Sequence, residues 1–150
     1  VFKKIEEIAV DLKGLVDGTG LFKKVQLSAA SDYKQLAENV KNCTALPAAF
    51  IVVGNGDFTP QELERKFAIG IVIVTPFKAT NDADATTIWQ CLETVAARFL
   101  PVLGDDAAPD FVEYNNVTYE LTGWQMVGLD VKCSSVVLEL TATEAAEMEM

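Results

Sequence analysis

Phe67-Ala68-Ile69-Gly70-Ile71-Val72-Ile73-Val74 is the stretch on which the fold turns. It is uncharged and dominated by β-branched residues, and it is far too short to cross a bilayer as a helix, so it reads as a strand. Extended over Arg65 to Thr75, the strand puts Phe67, Ile69, Ile71 and Ile73 on one side and Ala68, Gly70, Val72 and Val74 on the other, with Pro76 as its stop. The small residues Ala68 and Gly70 predict that the next helix approaches the sheet closely on their side.

Upstream, Ala48-Ala49-Phe50-Ile51-Val52-Val53 is an apolar run of strand length introduced by Pro47, a strand covered on both faces, and Gly54-Asn55-Gly56-Asp57 reads as the turn that ends it. Before it, Leu21 to Leu27 alternates as a half-buried strand does, and Ser31 or Asp32 can cap a short helix with Tyr33, Leu36 and Val40 inward. Phe2, Ile5, Ile8, Ala9, Leu12 and Val16 recur at spacings of three and four, which predicts an opening amphipathic helix.

Downstream, Asp84 is a plausible cap for a helix whose apolar positions are Ile88, Trp89, Leu92, Val95, Ala96, Phe99 and Leu100, closed by Pro101 and Gly104. Phe111 to Tyr114 and Val117 to Thr122 flank Asn115-Asn116 as a hairpin. Ser134 to Thr143 makes a final strand, and 144–150 is expected to fray. Strands outnumber helices, so the expected fold is a single α+β domain over 1–150, with a mixed, largely antiparallel sheet and two main helices packed on one face.

Of 150 residues half are hydrophobic and 23% are charged, a globular composition. The net charge of −10 is unevenly placed. Residues 1–104 carry twelve acids and eleven bases, whereas 105–150 carry ten acids and only Lys132. Such a surface repels phosphate backbones, which argues against a basic nucleic-acid groove; its plainer role is solubility. Cys43, Cys91 and Cys133 are widely spaced in apolar surroundings and are expected to be reduced core thiols. Val1-Phe2-Lys3-Lys4 is followed by Glu6 and Glu7 instead of an apolar run, so no signal peptide and no membrane association are expected.

The absence of histidine removes Ser-His-Asp and Cys-His arrangements and mixed zinc sites. Gly54-Asn55-Gly56-Asp57-Phe58-Thr59 starts like a dinucleotide fingerprint but lacks the third glycine, and no phosphate-cradling GxxxxGK[ST] occurs. Asp82 with Asp84, and Asp105-Asp106 with Asp110, could hold a hard cation, although capping and loop solvation explain them more simply. No catalytic, cofactor or metal residue is therefore nominated, and the chain is expected not to be an enzyme. What remains are apolar groups outside the predicted core: Phe58 in the loop 54–64, Phe77 in the loop 76–84, and Trp124 with Met126 after the hairpin. These are residue types that anchor protein interfaces, although any one of them could fold back onto the core.

The order of elements carries a resemblance. The opening helix, Leu21-Phe22-Lys23-Lys24-Val25, Leu46-Pro47-Ala48-Ala49-Phe50-Ile51-Val52, the 67–74 strand and a helix closed by Phe99-Leu100-Pro101 resemble the tail-terminator proteins of long-tailed bacteriophages. The likeness is to the Mu-type minor tail group and, more distantly, to the lambda terminator; it covers nearly the whole chain and consists of order and apolar pattern. It implies a ring, typically of six copies, assembled in the host cytoplasm and resident in the virion neck. Such a ring caps the tail tube, stops its polymerisation and docks the head connector, while DNA passes through without specific binding. No residue role transfers by motif. Exposure alone nominates Phe58, Arg65, Phe77, Lys78, Trp124 and Met126 as subunit or tube contacts, and Asp105, Asp106, Asp110, Glu113 and Glu120 as an acidic channel face. The rival expectations are another phage neck or connector protein, a dimeric ligand-binding α+β module, and an enzyme using carboxylates and a metal.

Overall fold

A computed structural model describes residues 4–29, 36, 38, 45–59, 64–76, 82–99, 112–114, 117–128 and 133–145. The fold is α+β. Helix α1 (Ile5–Asp17) is followed by β1 (Lys24–Ser28), β2 (Ala48–Thr59), β3 (Glu64–Pro76), α2 (Asp82–Ala96), β4 (Val112–Tyr114), β5 (Val117–Met126) and β6 (Cys133–Ala145). The six strands form one sheet in the order β1-β2-β3-β6-β5-β4. Only β1 and β2 run parallel; every other neighbouring pair is antiparallel.

The 67–74 stretch lies inside β3 at the middle of that sheet, paired on one side with β2 and on the other with β6 over its whole length. Its odd-numbered face packs with both helices. Ile8, Leu12 and Val16 of α1 and Ile88, Leu92 and Val95 of α2 join Ile69, Ile71, Ile73, Leu138 and Leu140 in the main core. Each fully buried aliphatic side chain of this kind contributes about 1.5–3 kcal/mol. Phe99, just beyond α2, meets Tyr119 edge to face with ring centroids 5.9 Å apart. The even-numbered face carries a smaller cluster of Leu36, Ala48, Phe50, Val72, Val74 and Val137. Ile51 in one cluster and Phe50 in the other show why the 48–53 half of β2 is apolar on both faces.

Several expectations are corrected. The helix after β3 packs on the isoleucine face, leaving Ala68 exposed, because Ile88, Leu92 and Val95 need larger apolar partners than Ala68 and Gly70 provide. Gly54-Asn55-Gly56-Asp57 does not end β2. The strand continues to Thr59 through a bulge: Val53 pairs with Ile69 and Gly56 with Phe67, so three steps along β2 answer two along β3. Glycine suits the close approach there, since a Cβ on Gly56 would lie 3.1 Å from the Phe67 Cβ. α2 begins at Asp82, so Asp84 is an internal helical residue and not its cap. β1 starts at Lys24, with Leu21 and Phe22 packed against the core ahead of it. β6 carries on through Glu144 and Ala145, residues expected to fray. Ser31, Asp32, Tyr33, Val40, Cys43, Asn115-Asn116 and 146–150 lie outside the described residues.

Candidate functional site

β5 and β6 decide where the exposed aromatic side chains fall. From Val117 to Leu121 the alternation of β5 is regular: Val117, Tyr119 and Leu121 join the helix-side core, and Glu120 is exposed. A second bulge then intervenes. Leu121 pairs with Leu140, but Gly123 pairs with Glu139, leaving Thr122 as the additional residue. Thr122 Oγ1 donates to the Glu139 carbonyl at 3.1 Å and helps hold the irregularity. One added residue inverts the alternation of everything after it. Trp124 and Met126 therefore stand opposite Leu138 and Val136, both members of the helix-side core.

α2 does not reach far enough to cover them. Trp124 and Met126 are 55% and 51% exposed, and Trp89 on α2 is 52% exposed. Between α2 and β5 lies an open groove of about 420 Å³, lined by Trp89, Leu92, Glu93, Ala96, Leu121, Trp124 and Leu138. Trp89, Glu93 and Ala96 recur at helical spacing and put one side of α2 on the groove. Glu93 is exposed, and its carboxylate has no hydrogen-bond or ion-pair partner among the described residues. Two half-exposed indoles, an aliphatic floor and a lone carboxylate suit an apolar surface carrying a positive charge.

Beyond Val137, which joins the smaller cluster, the reverse face of β5 and β6 is polar. Thr118 and Glu120 on β5, and Glu139, Thr141 and Thr143 on β6, are exposed or partly so, and Glu120 lies opposite Thr141. A half-buried antiparallel sheet alternates in this way.

Of the nominated interface residues, Trp124 and Met126 are exposed, and they sit in β5 itself instead of a loop beyond it. Phe58 belongs to β2, opposite Arg65, and not to a loop. Arg65 is not a surface residue. It is 7% exposed, its Nε donates to Glu144 Oε1 at 2.7 Å, and its guanidinium lies 5.6 Å from the Phe67 ring centroid. Burial follows from register: Arg65 and Glu144 are direct cross-strand partners on the helix side of the sheet. Phe77 and Lys78 lie outside the described residues, as do Asp105, Asp106 and Asp110. Glu113 lies in β4 opposite Thr118, and Glu120 is exposed on β5. The helical spacing of Trp89 suggests a core position, and nothing in the local sequence marks Glu93 or Trp89 as facing the same groove as Trp124.

Cys91, buried on α2, has its thiol pKa pushed above the ordinary 9.0 by desolvation. Cys133 is partly buried. Among the described residues there is no group of three or more His, Cys, Asp or Glu side chains placed to hold a metal ion, and no helix long and apolar enough to cross a membrane.

Fold and groove together define an α+β domain with an aromatic, solvent-open groove on the helix side of its sheet. No known protein-family model matches the sequence, and no curated protein matches it either.

Proposed function

We propose that this chain is a structural subunit of a phage tail that assembles as a ring, caps the tail tube, ends its polymerisation and presents a surface to the head connector. The observation that carries the reading is the groove between α2 and β5, flanked by Trp89 and Trp124, each about half exposed. Large aromatics left open to water on a rigid sheet-and-helix frame are the residues that gain most from burial against another protein surface. The tail-terminator resemblance, drawn from the order and apolar pattern of the sequence, points the same way. The acidic last third, with Glu120 on the polar sheet face, fits a channel wall that DNA passes without sticking.

Particle mass in solution, followed by addition to growing tail tubes, tests this function. The expected result is a closed oligomer near six times the 16.3 kDa chain mass, and tubes whose elongation stops when it is added. A chain that stays single at every concentration and leaves tube growth unaltered refutes the proposal. Replacing Glu113 and Glu120 by glutamine tests the channel wall separately: DNA passage should slow, and unchanged infectivity would dispose of that part alone.

A further inference from the structure

We infer that the groove between α2 and β5 receives the basic β1 border of a neighbouring copy, with that copy's Lys23 and Lys24 set against Trp89, Trp124 and Glu93. The inference rests on the ring reading and names the contact that would build the ring.

The two halves of this contact occupy opposite borders of one sheet. β1 is the first strand in the sheet order, and β5 with the short β4 closes the other side. Lys23 and Lys24 are exposed, and neither ammonium has a hydrogen-bond or ion-pair partner among the described residues. The backbone N–H of Lys23 donates to the Pro47 carbonyl at 2.8 Å, which ties this basic corner to the start of β2 and presents it on a fixed frame. Leu21 and Phe22 beside it are only partly buried, so the corner offers apolar surface next to its charges.

Across the molecule, the groove offers the complement. Indole faces attract a cation, the Glu93 carboxylate has no counter-charge among the described residues, and the methylene stems of lysine can lie along Leu92, Ala96 and Leu121. Two grooves pairing with each other about a two-fold axis would instead bring Glu93 toward a second Glu93, where like charges oppose association. A basic corner on one border and an acidic aromatic groove on the other make a head-to-tail contact, which closes into a ring when the rotation between copies permits.

Sedimentation across a concentration series tests the contact with four proteins: wild type, K23E/K24E, E93K, and the combined K23E/K24E/E93K. Urea midpoints matching wild type first establish that each variant is folded. Either reversal alone should raise the concentration needed for assembly by about tenfold or more, and the combined reversal should assemble better than either reversal alone but short of wild type, because it regains the charge pair at residue 93 while the indole faces attract only cations. W124A should weaken assembly in the same direction. If wild type forms a closed oligomer and the reversals leave its mass unchanged, this contact is overturned while the ring stands. If wild type never assembles, the ring reading fails and the contact fails with it.

Discussion

Arg65 offers the sharpest test of how this fold distributes its charges. Its Nε–Glu144 Oε1 separation is 2.7 Å, and the two side chains are 9% and 3% exposed. At an effective dielectric of about 20 the attraction is about 6 kcal/mol, but removing both ions from water costs several kcal/mol each, so the pair as a whole contributes little net stability. Breaking it is a different matter. Arg65→Ala removes the 2.7 Å partner of the buried Glu144 carboxylate, and Glu144→Ala removes that of the guanidinium; each should cost about 3–5 kcal/mol. Domains of this size are stable by only about 5–15 kcal/mol, so either variant loses a large share of the total. Arg65→Met combined with Glu144→Leu installs an apolar cross-strand pair and should cost less than the sum of the two single variants. Urea unfolding followed by circular dichroism measures all three, with an unchanged denaturant slope as the check on two-state behaviour. Single variants within about 0.5 kcal/mol of wild type, or a double variant whose loss equals the sum of the singles, would refute the assignment of a buried, coupled pair.

Three further outcomes are expected. Gly56→Ala should destabilise by about 1–3 kcal/mol, because the new methyl meets Phe67 at the β2 bulge; Gly123→Ala at the β5 bulge, where nothing lies within 4 Å, should be nearly neutral by the same urea assay. Phe99→Ala should cost about 3–5 kcal/mol, read as a fall in melting temperature, through loss of a buried ring and its edge-to-face contact with Tyr119. Cys91 should resist iodoacetamide in the native protein and react on unfolding. Since its folded pKa lies above the unfolded 9.0, the unfolded chain releases its proton first as pH rises. The Cys91 contribution to stability is therefore intact below pH 9.0 and declines between 9.0 and the folded value; Cys91→Ser should flatten that part of the pH–stability profile.

Local periodicity made much of the fold legible. The spacing of Ile8, Leu12 and Val16 announced α1 and its buried face, the Ile88, Leu92 and Val95 series did so for α2, and the β-branched run 67–74 announced the central strand. Those signals are properties of neighbouring residues on one helix or strand, and a sequence displays them directly. The α+β class followed from their order. The candidate site was legible only in part: Trp124 and Met126 stood out as aromatic and Met residues beyond the predicted core, and both are open to solvent.

What tertiary structure alone decided are the relations between distant segments. Arg65 resembles a surface charge until register sets it beside Glu144, 79 residues further along the chain. Trp89 has the spacing of a core residue, and only the packing of α2 on β3 and β6, with an open groove toward β5, leaves it exposed. Thr122 looks like any strand residue, yet its extra step turns Trp124 from the polar face to the groove. Composition and the lack of histidine can be read in one dimension. Strand order, bulges and the pairing of buried charges depend on which partners meet across the sheet, and that choice minimises unpaired polar groups and exposed apolar area over the whole domain at once.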